Sequence, residues 1–260
     1  MKIGIVLSGG GARGIAHIGV LKALDELEIK FSIASGTSAG SIIAALYAYG
    51  YKPDAIFQQI KNLSILKSMR PSWAKAGFFT MDGLRDMLLK VIPENDFAAL
   101  KIPLIVAATD IRKAKIQYFS KGELAPAIMA SCSIPAIFSP VNLNGGLYVD
   151  GGLLDNFPVL PIRDRCDIVV GSHCNQISDD FDARSIKVMI ERSLLIAVYA
   201  NTQNSRWMCD VFIEPPQMDR FKVFDIGRAQ EIFDTAYAYT KENFKIEHFK
   251  INAEDSKKSN

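Results

Sequence analysis

The chain is poor in histidine, in paired cysteines and in charge imbalance, and each shortage removes a class of function. There are three histidines, His17, His173 and His248, and no His/Asp/Glu cluster has the spacing of metal ligands. No metal or other cofactor is therefore expected. The four cysteines, Cys132, Cys166, Cys174 and Cys209, form no C-x-x-C pair, and three lie in or beside apolar stretches. That pattern fits buried free thiols in a reducing compartment better than disulfides or zinc. Thirty basic residues against 28 acidic leave a formal net charge of +2, without the concentrated basic excess of a nucleic-acid binder. No window approaches the ~20 apolar residues that span a bilayer. The opening MKIGIVLSGGG has too short an apolar run for a signal peptide, and glycines follow at once. A cytoplasmic protein is expected, with peripheral contact to a membrane left open.

What the chain does have is bulk and pattern. Its 260 residues are 49% hydrophobic, enough for one large α/β domain, read here as residues 1–252 with a polar tail at 253–260. Short apolar runs at 3–7, 31–34, 102–108, 116–120, 147–149, 167–171 and 211–213 predict strands. Helical spacing predicts helices over 14–28, 41–49, 123–130, 186–207 and 227–243. Strand and helix alternating at this pace argue for a parallel sheet with helices on its faces. Residues 60–89 differ, mixing Lys61, Lys67, Arg70 and Lys75 with Met69, Trp73, Phe78 and Phe79. They read either as an amphipathic element packed on the core or as a cap that meets lipid.

Three short motifs carry chemistry. Gly36-Thr37-Ser38-Ala39-Gly40 is G-x-S-x-G between a strand and a helix, a sharp turn that exposes a serine hydroxyl beside free helix N–H groups. Gly9-Gly10-Gly11-Ala12-Arg13-Gly14 follows the first strand and contains G-x-G-x-x-G. A dinucleotide site would also need an acid at the end of the second strand. That strand ends in Ala34-Ser35-Gly36, so the nucleotide reading fails. A Walker loop fails too, for want of Gly-Lys-Ser/Thr. What remains is a bare backbone loop able to approach a negative oxygen. The third motif, Asp150-Gly151-Gly152, places a carboxylate at a strand end without crowding, although an Asp-Gly pair is commonly a plain turn. His17, inside the first helix, reads as a packing residue. His173 follows a strand and leaves open a Ser38–Asp150–His173 triad, against a base drawn directly from a carboxylate.

Taken together, in this order, the three motifs resemble the patatin-like phospholipase family. The stretch MASCSIPAIFSPV at 129–141 also looks like the family's segment upstream of its aspartate. The resemblance implies a three-layer α/β/α fold with a central, mostly parallel sheet. It implies a Ser–Asp dyad, with Ser38 as nucleophile, Asp150 as base, and Gly10 and Gly11 as oxyanion donors within the Gly9–Gly14 loop. Arg13 would add charge or brace that loop, or else make a plain salt bridge. The expected activity is hydrolysis of lipid or other carboxylic esters through an acyl-enzyme. The rival is a non-catalytic module on the same fold that senses acyl chains.

Overall fold

The computed structural model describes residues 1–62, 77–79, 81–177, 179, 181–223 and 225–250. The tail at 253–260 and Lys67, Met69, Arg70, Trp73 and Lys75 of the unusual segment lie outside these residues, as do the side chains of Phe78 and Phe79. Two flanking pieces of that segment are described: a helix at Pro53–Asn62 (α3) and another at Asp82–Val91 (α4). Between them a short strand, Gly77–Phe79 (β3), pairs in parallel with Ala136–Phe138 (β6) in a small second sheet.

The main sheet has eight strands among the described residues. Five run parallel, in the order Val211–Ile213 (β10), Ile168–Ser172 (β9), Ile3–Leu7 (β1), Ile33–Thr37 (β2) and Leu104–Asp110 (β4). Three are antiparallel: Lys115–Phe119 (β5) and Gly146–Asp150 (β8) pair with β4, and Val141–Leu143 (β7) pairs with β8. The sheet is thus mixed and mostly parallel. The central parallel strands β1, β4 and β9 are buried along their whole length and read as nearly unbroken apolar runs, whereas the antiparallel β5 and β7 are partly exposed.

Register does the work that matters for the site. Ala107 of β4 faces Thr37 of β2 on one edge and Tyr118 of β5 on the other. One residue on, Ala108 faces Gln117 of β5 and Asp150 of β8. A strand has only two edges, so β8 lies on the same edge as β2 and meets it end to end. The last residues of two strands far apart in sequence, Thr37 and Asp150, are therefore neighbours along β4.

The two faces of the sheet are covered unequally. Ile3, Ile5 and Leu7 of β1 join a large cluster with helices Ile15–Glu26 (α1), Ala39–Tyr49 (α2), Leu124–Cys132 (α5) and Ala229–Asn243 (α8). Val6, Ile33, Ile105 and Val169 turn to the other face. There they meet Phe157, Val159 and Ile162, the last in the one-turn helix Leu160–Arg163 (α6). The alternation within β1 is the period-two signature of a strand buried on both sides. A long helix, Ile186–Arg206 (α7), leaves Ile186, Met189, Ile190 and Ile196 45–81% exposed, while its C-terminal part carries Asn201 to the site. No helix among the described residues is long and apolar enough to cross a membrane.

Element boundaries shift where polar residues are buried. The strand expected at 31–34 lies at Ile33–Thr37. Its tail looks like a turn in sequence, but Ser35 is fully buried and its hydroxyl donates to the Pro158 carbonyl at 2.7 Å. Likewise β4 runs on to Asp110, whose buried carboxylate accepts the amides of Arg112 and Lys113. The three-residue strands β6 and β7 are too short to show a period, and α3 was hidden behind Pro53. All four thiols are free, Cys132 and Cys174 buried, Cys166 and Cys209 only partly so.

Candidate active site

The carboxyl ends of β1, β2 and β9 converge with the end of β8, the crevice where open α/β sheets hold ligands. Each motif is the loop leaving one of these strands.

Ser38 caps α2 with φ 51° and ψ −126°, a conformation that costs a non-glycine residue on the order of 1–3 kcal/mol. Its surroundings impose it. A Cβ on Gly36 would stand 2.8 Å from the carbonyl carbon of Gly40, and a Cβ on Gly40 would run into the Leu7 carbonyl. The two glycines let the turn close on itself and on β1. The Ser38 N–H donates to Ser131 Oγ of α5 at 2.8 Å, and the Ser38 carbonyl accepts from Ser41 Oγ at 2.7 Å. Ser131 lies in the 129–141 stretch, which thus serves the nucleophile turn. Thr37 Oγ1 donates to the Asp155 carbonyl at 2.9 Å, and Ala39 packs its methyl against Gly14.

Ser38 Oγ donates to Asp150 Oδ2 at 2.7 Å, and the other carboxylate oxygen accepts the Gly152 N–H at 2.8 Å. Gly151 is small for a reason: a Cβ there would run into the Ala107 carbonyl. Ser38 and Asp150 are 7% and 8% exposed. Burial pushes the Asp150 carboxyl up to about 6, against the opposing pull of the Ser38 and Gly152 hydrogen bonds. Cys132 lies alongside, and burial raises its thiol, so it stays protonated there.

Within the glycine loop the amides divide. Gly9 N–H donates to the Asn156 carbonyl at 3.1 Å, Ala12 N–H to Val223 at 2.7 Å, and Arg13 N–H to Gly10 at 3.2 Å. Those of Gly10 and Gly11 have no partner among the described residues. Gly11 has φ +57°, and a Cβ on it would run into the Val223 carbonyl, so side chains are excluded at this corner. Gly9 is clamped further, its carbonyl accepting from Asn175 Nδ2. Arg13 is a brace and not a surface ion pair. It is buried and donates to the carbonyls of Phe221 (2.7 Å), Asp219 (3.4 Å) and Gln176 (3.5 Å).

The histidines stand apart from this pair. His173 is fully buried, but its Nδ1 lies 2.6 Å from Glu214 Oε1 and its ring stacks on Phe212. Its Nε2 has no hydrogen-bond partner among the described residues, and Ser38 Oγ bonds Asp150 directly, so the Ser38–Asp150–His173 chain of hydrogen bonds does not form. His17 Nε2 lies 2.9 Å from the Ser8 carbonyl and Nδ1 2.8 Å from Ser172 Oγ. A carbonyl only accepts, so the proton sits on Nε2 and Ser172 donates to Nδ1. His248 is bonded to Lys245.

Three residues at the site carry no signal in a single sequence. Asn156, Asn175 and Asn201 look like ordinary loop or helix asparagines. Asn201 Oδ1 accepts the Asn156 N–H at 3.0 Å and its Nδ2 donates to the Gly152 carbonyl at 3.0 Å.

An open, mostly parallel α/β sheet with a strained serine bonded directly to a buried carboxylate defines the class of protein. The family described as patatin-like phospholipase matches residues 5–163, and the chain belongs to that family. An uncharacterized NTE family protein of Mycobacterium tuberculosis is 34% identical over 164 residues, which cover 62% of this chain and 45% of the relative. Lysophospholipase NTE1 of Candida glabrata is 30% identical over 272 residues, 92% of this chain and 16% of the relative. The chain thus spans less than half the length of these relatives. VipD from Legionella pneumophila shares the fold, with a TM-score of 0.51 and 17% identity over 94% of this chain and 68% of that one.

Proposed function

We propose that this protein hydrolyses carboxylic esters of lipids through an acyl-enzyme, with Ser38 as nucleophile and Asp150 as the sole protein base. One observation carries the reading: Ser38 Oγ, on a strained turn, donates at 2.7 Å to the carboxylate of Asp150 with no imidazole between them. As Oγ bonds to the ester carbon, its proton passes to Asp150 Oδ2 and the carbonyl π electrons move onto the oxygen. The amides of Gly10 and Gly11, free of other partners, and the N-terminal end of α2 favour that negative oxygen. Collapse breaks the bond to the alcohol, which takes the proton from Asp150. Asp150 then draws a proton from water as the water oxygen bonds to the acyl carbon; collapse breaks the bond from that carbon to Ser38 Oγ, Oγ takes the proton back from Asp150, and the fatty acid leaves.

A carboxyl with a pKa of about 6 suits this role. It is ionised at pH 7, yet a stronger base than an exposed aspartate. A fluorophosphonate probe tests the reading, because it phosphonylates an activated serine. The expected result is one adduct on Ser38, none on Ser38→Ala, and turnover of medium-chain esters that the same variant loses. A folded wild type that neither labels nor turns over any ester favours the acyl-sensing module instead.

A further inference from the structure

The C-terminal end of α5 touches both members of the dyad through their main chains. Ser131, its penultimate residue, accepts the Ser38 N–H on Oγ at 2.8 Å. Ser133, which caps the helix, accepts the Asp150 N–H on its carbonyl at 2.9 Å. Both serines are fully buried. Ser38 and Asp150 stand 112 residues apart in the chain, and the three residues Ser131-Cys132-Ser133 hold one at each end.

The two serines use their hydroxyls differently. A serine in a helix commonly turns its hydroxyl back to the carbonyl of the preceding turn. Ser133 does so, donating to the Met129 carbonyl at 2.8 Å. Ser131 makes no such bond among the described residues, and its oxygen meets the Ser38 amide instead. The Ser133 carbonyl is open to Asp150 because the last carbonyls of a helix have no partner within it.

The bond to Ser131 matters through the conformation it holds. Ser38 has φ 51°, and φ sets where Cβ points relative to the N–H. The N–H is fixed on Ser131. The carbonyl is fixed by the Ser41 N–H at 2.9 Å and the Ser41 hydroxyl at 2.7 Å. Only the side-chain torsion is left to aim Oγ, which stands 2.7 Å from Asp150 Oδ2. With its acceptor removed, the amide no longer offsets the strain of the turn, and the turn relaxes. A displacement of ~1 Å between reacting groups costs on the order of 100-fold in rate.

Resting on the hydrolase reading, we propose that Ser131 is a positioning residue: its oxygen holds Ser38 in the strained conformation that aims Oγ at Asp150, while the Ser133 carbonyl at the same helix end holds Asp150 where it receives the proton.

Ser131→Ala removes only the acceptor, and Ser131→Thr keeps an oxygen on the same carbon. Thr240→Ala, which deletes a fully buried hydroxyl from α8, gives the scale of a purely structural loss. All three are assayed on one soluble ester from pH 4.5 to 9 beside wild type and Ser38→Ala. Active sites are counted by fluorophosphonate labelling carried to completion, and folding is followed by melting temperature. For Ser131→Ala the expected result is a fall in kcat per labelled site of roughly 10- to 100-fold with KM within about threefold, and Ser131→Thr should recover kcat to within about threefold of wild type. A second signature lies in the pH profile. The Ser38 hydrogen bond favours the ionised form of Asp150, and the Cys132 thiol alongside stays protonated. Losing that bond should move the acid limb of kcat/KM upward by about half to one pH unit.

A structural role predicts for Ser131→Ala what Thr240→Ala should show, a lower melting temperature with kcat per labelled site and the acid limb unchanged, and that result overturns the proposal. So does a loss confined to KM, or a Ser131→Thr that melts like wild type yet is as slow as Ser131→Ala. Wild type without labelling or turnover overturns the hydrolase reading and this proposal with it, whereas an active wild type with a fully active Ser131→Ala overturns this proposal alone.

Discussion

Two buried polar clusters lie at the same end of the sheet, and they look alike. One is Ser38 with Asp150. The other is Ser8, His17, Ser172 and Cys174, where a serine, an imidazole and a thiol meet within 3.5 Å contacts. A search for a serine beside a histidine would choose the second. Three physical differences separate them. Ser38 sits on a strained positive φ, whereas Ser8 continues from β1 with its N–H bonded to Ser172. Ser38 and Asp150 keep 7–8% exposure, while Ser8, His17, Ser172 and Cys174 have none. The loop that precedes the first cluster in sequence keeps two amides, of Gly10 and Gly11, without partners among the described residues, but the imidazole of the second cluster has both nitrogens occupied by Ser8 and Ser172. Reactivity follows strain, access and unfilled donors; a satisfied network gives support.

The titrations of the two clusters run in opposite senses. Burial raises Asp150 to about 6 and lowers His17 to about 4. Asp150 in the folded chain holds its proton more tightly than in the unfolded chain, so its ionisation costs stability as pH rises from about 4 through about 6. His17 in the folded chain resists a proton that the unfolded chain accepts below about 6.5, so stability falls as pH drops from there toward about 4. Between those limits the two contributions oppose each other.

Replacing one member of each cluster sharpens the contrast, and Asp150→Asn has the largest expected effect. Ester turnover should drop at least 1,000-fold, within the scale of losing the base that activates a nucleophile. The same variant should be more stable than wild type at pH 7, by on the order of 2 kcal/mol. That advantage should close as pH falls toward 4, leaving the variant with the steeper acid destabilisation from His17. Denaturant melts of both proteins at pH 4, 5.5 and 7 check this, and a variant less stable than wild type at pH 7 would show that the charged carboxylate is not strained by burial.

His17→Ala should do the opposite. It strands the Ser172 hydroxyl and the Ser8 carbonyl and opens a cavity, so a loss of about 2–4 kcal/mol is expected. Turnover per labelled Ser38 should stay within about threefold. A variant that melts like wild type but has lost its turnover would move His17 from support to chemistry.

Much of the fold and the placing of the three motifs is legible in the sequence. The glycine loop, the serine turn and the aspartate turn each follow a strand as their residues predict, because each motif is a contiguous stretch with a recognisable spacing, even though Gly11, Gly40 and Gly151 answer to close approaches by Val223, Leu7 and Ala107, far away in sequence. Gly36 and Gly40 meet across one turn. The long helix at 186–206 and the strand at 211–213 were legible for a similar reason, their patterns being long or strongly apolar. What stayed hidden is what depends on distant partners. Nothing around Arg13 announces that it reaches Phe221 and Asp219, and nothing around Asn201 announces Gly152. The strand ends at Thr37 and Asp110 were misjudged because buried polar residues look exposed until their acceptors and donors, Pro158 or the Arg112 amide, are known. That β8 meets β2 end to end on one edge of β4 is a property of register, and register is set by the whole sheet.

The central claim is that Ser38 gives its proton to Asp150 without a histidine, and the pH dependence of hydrolysis tests it most directly. Wild type and His173→Ala are compared on one soluble ester from pH 4.5 to 9, with circular dichroism confirming that both are folded. Both should show kcat/KM falling about tenfold per pH unit below about 6, the range to which burial pushes Asp150, with rates within about threefold of each other. A folded His173→Ala as inactive as Asp150→Asn would contradict the dyad and place an imidazole between serine and carboxylate.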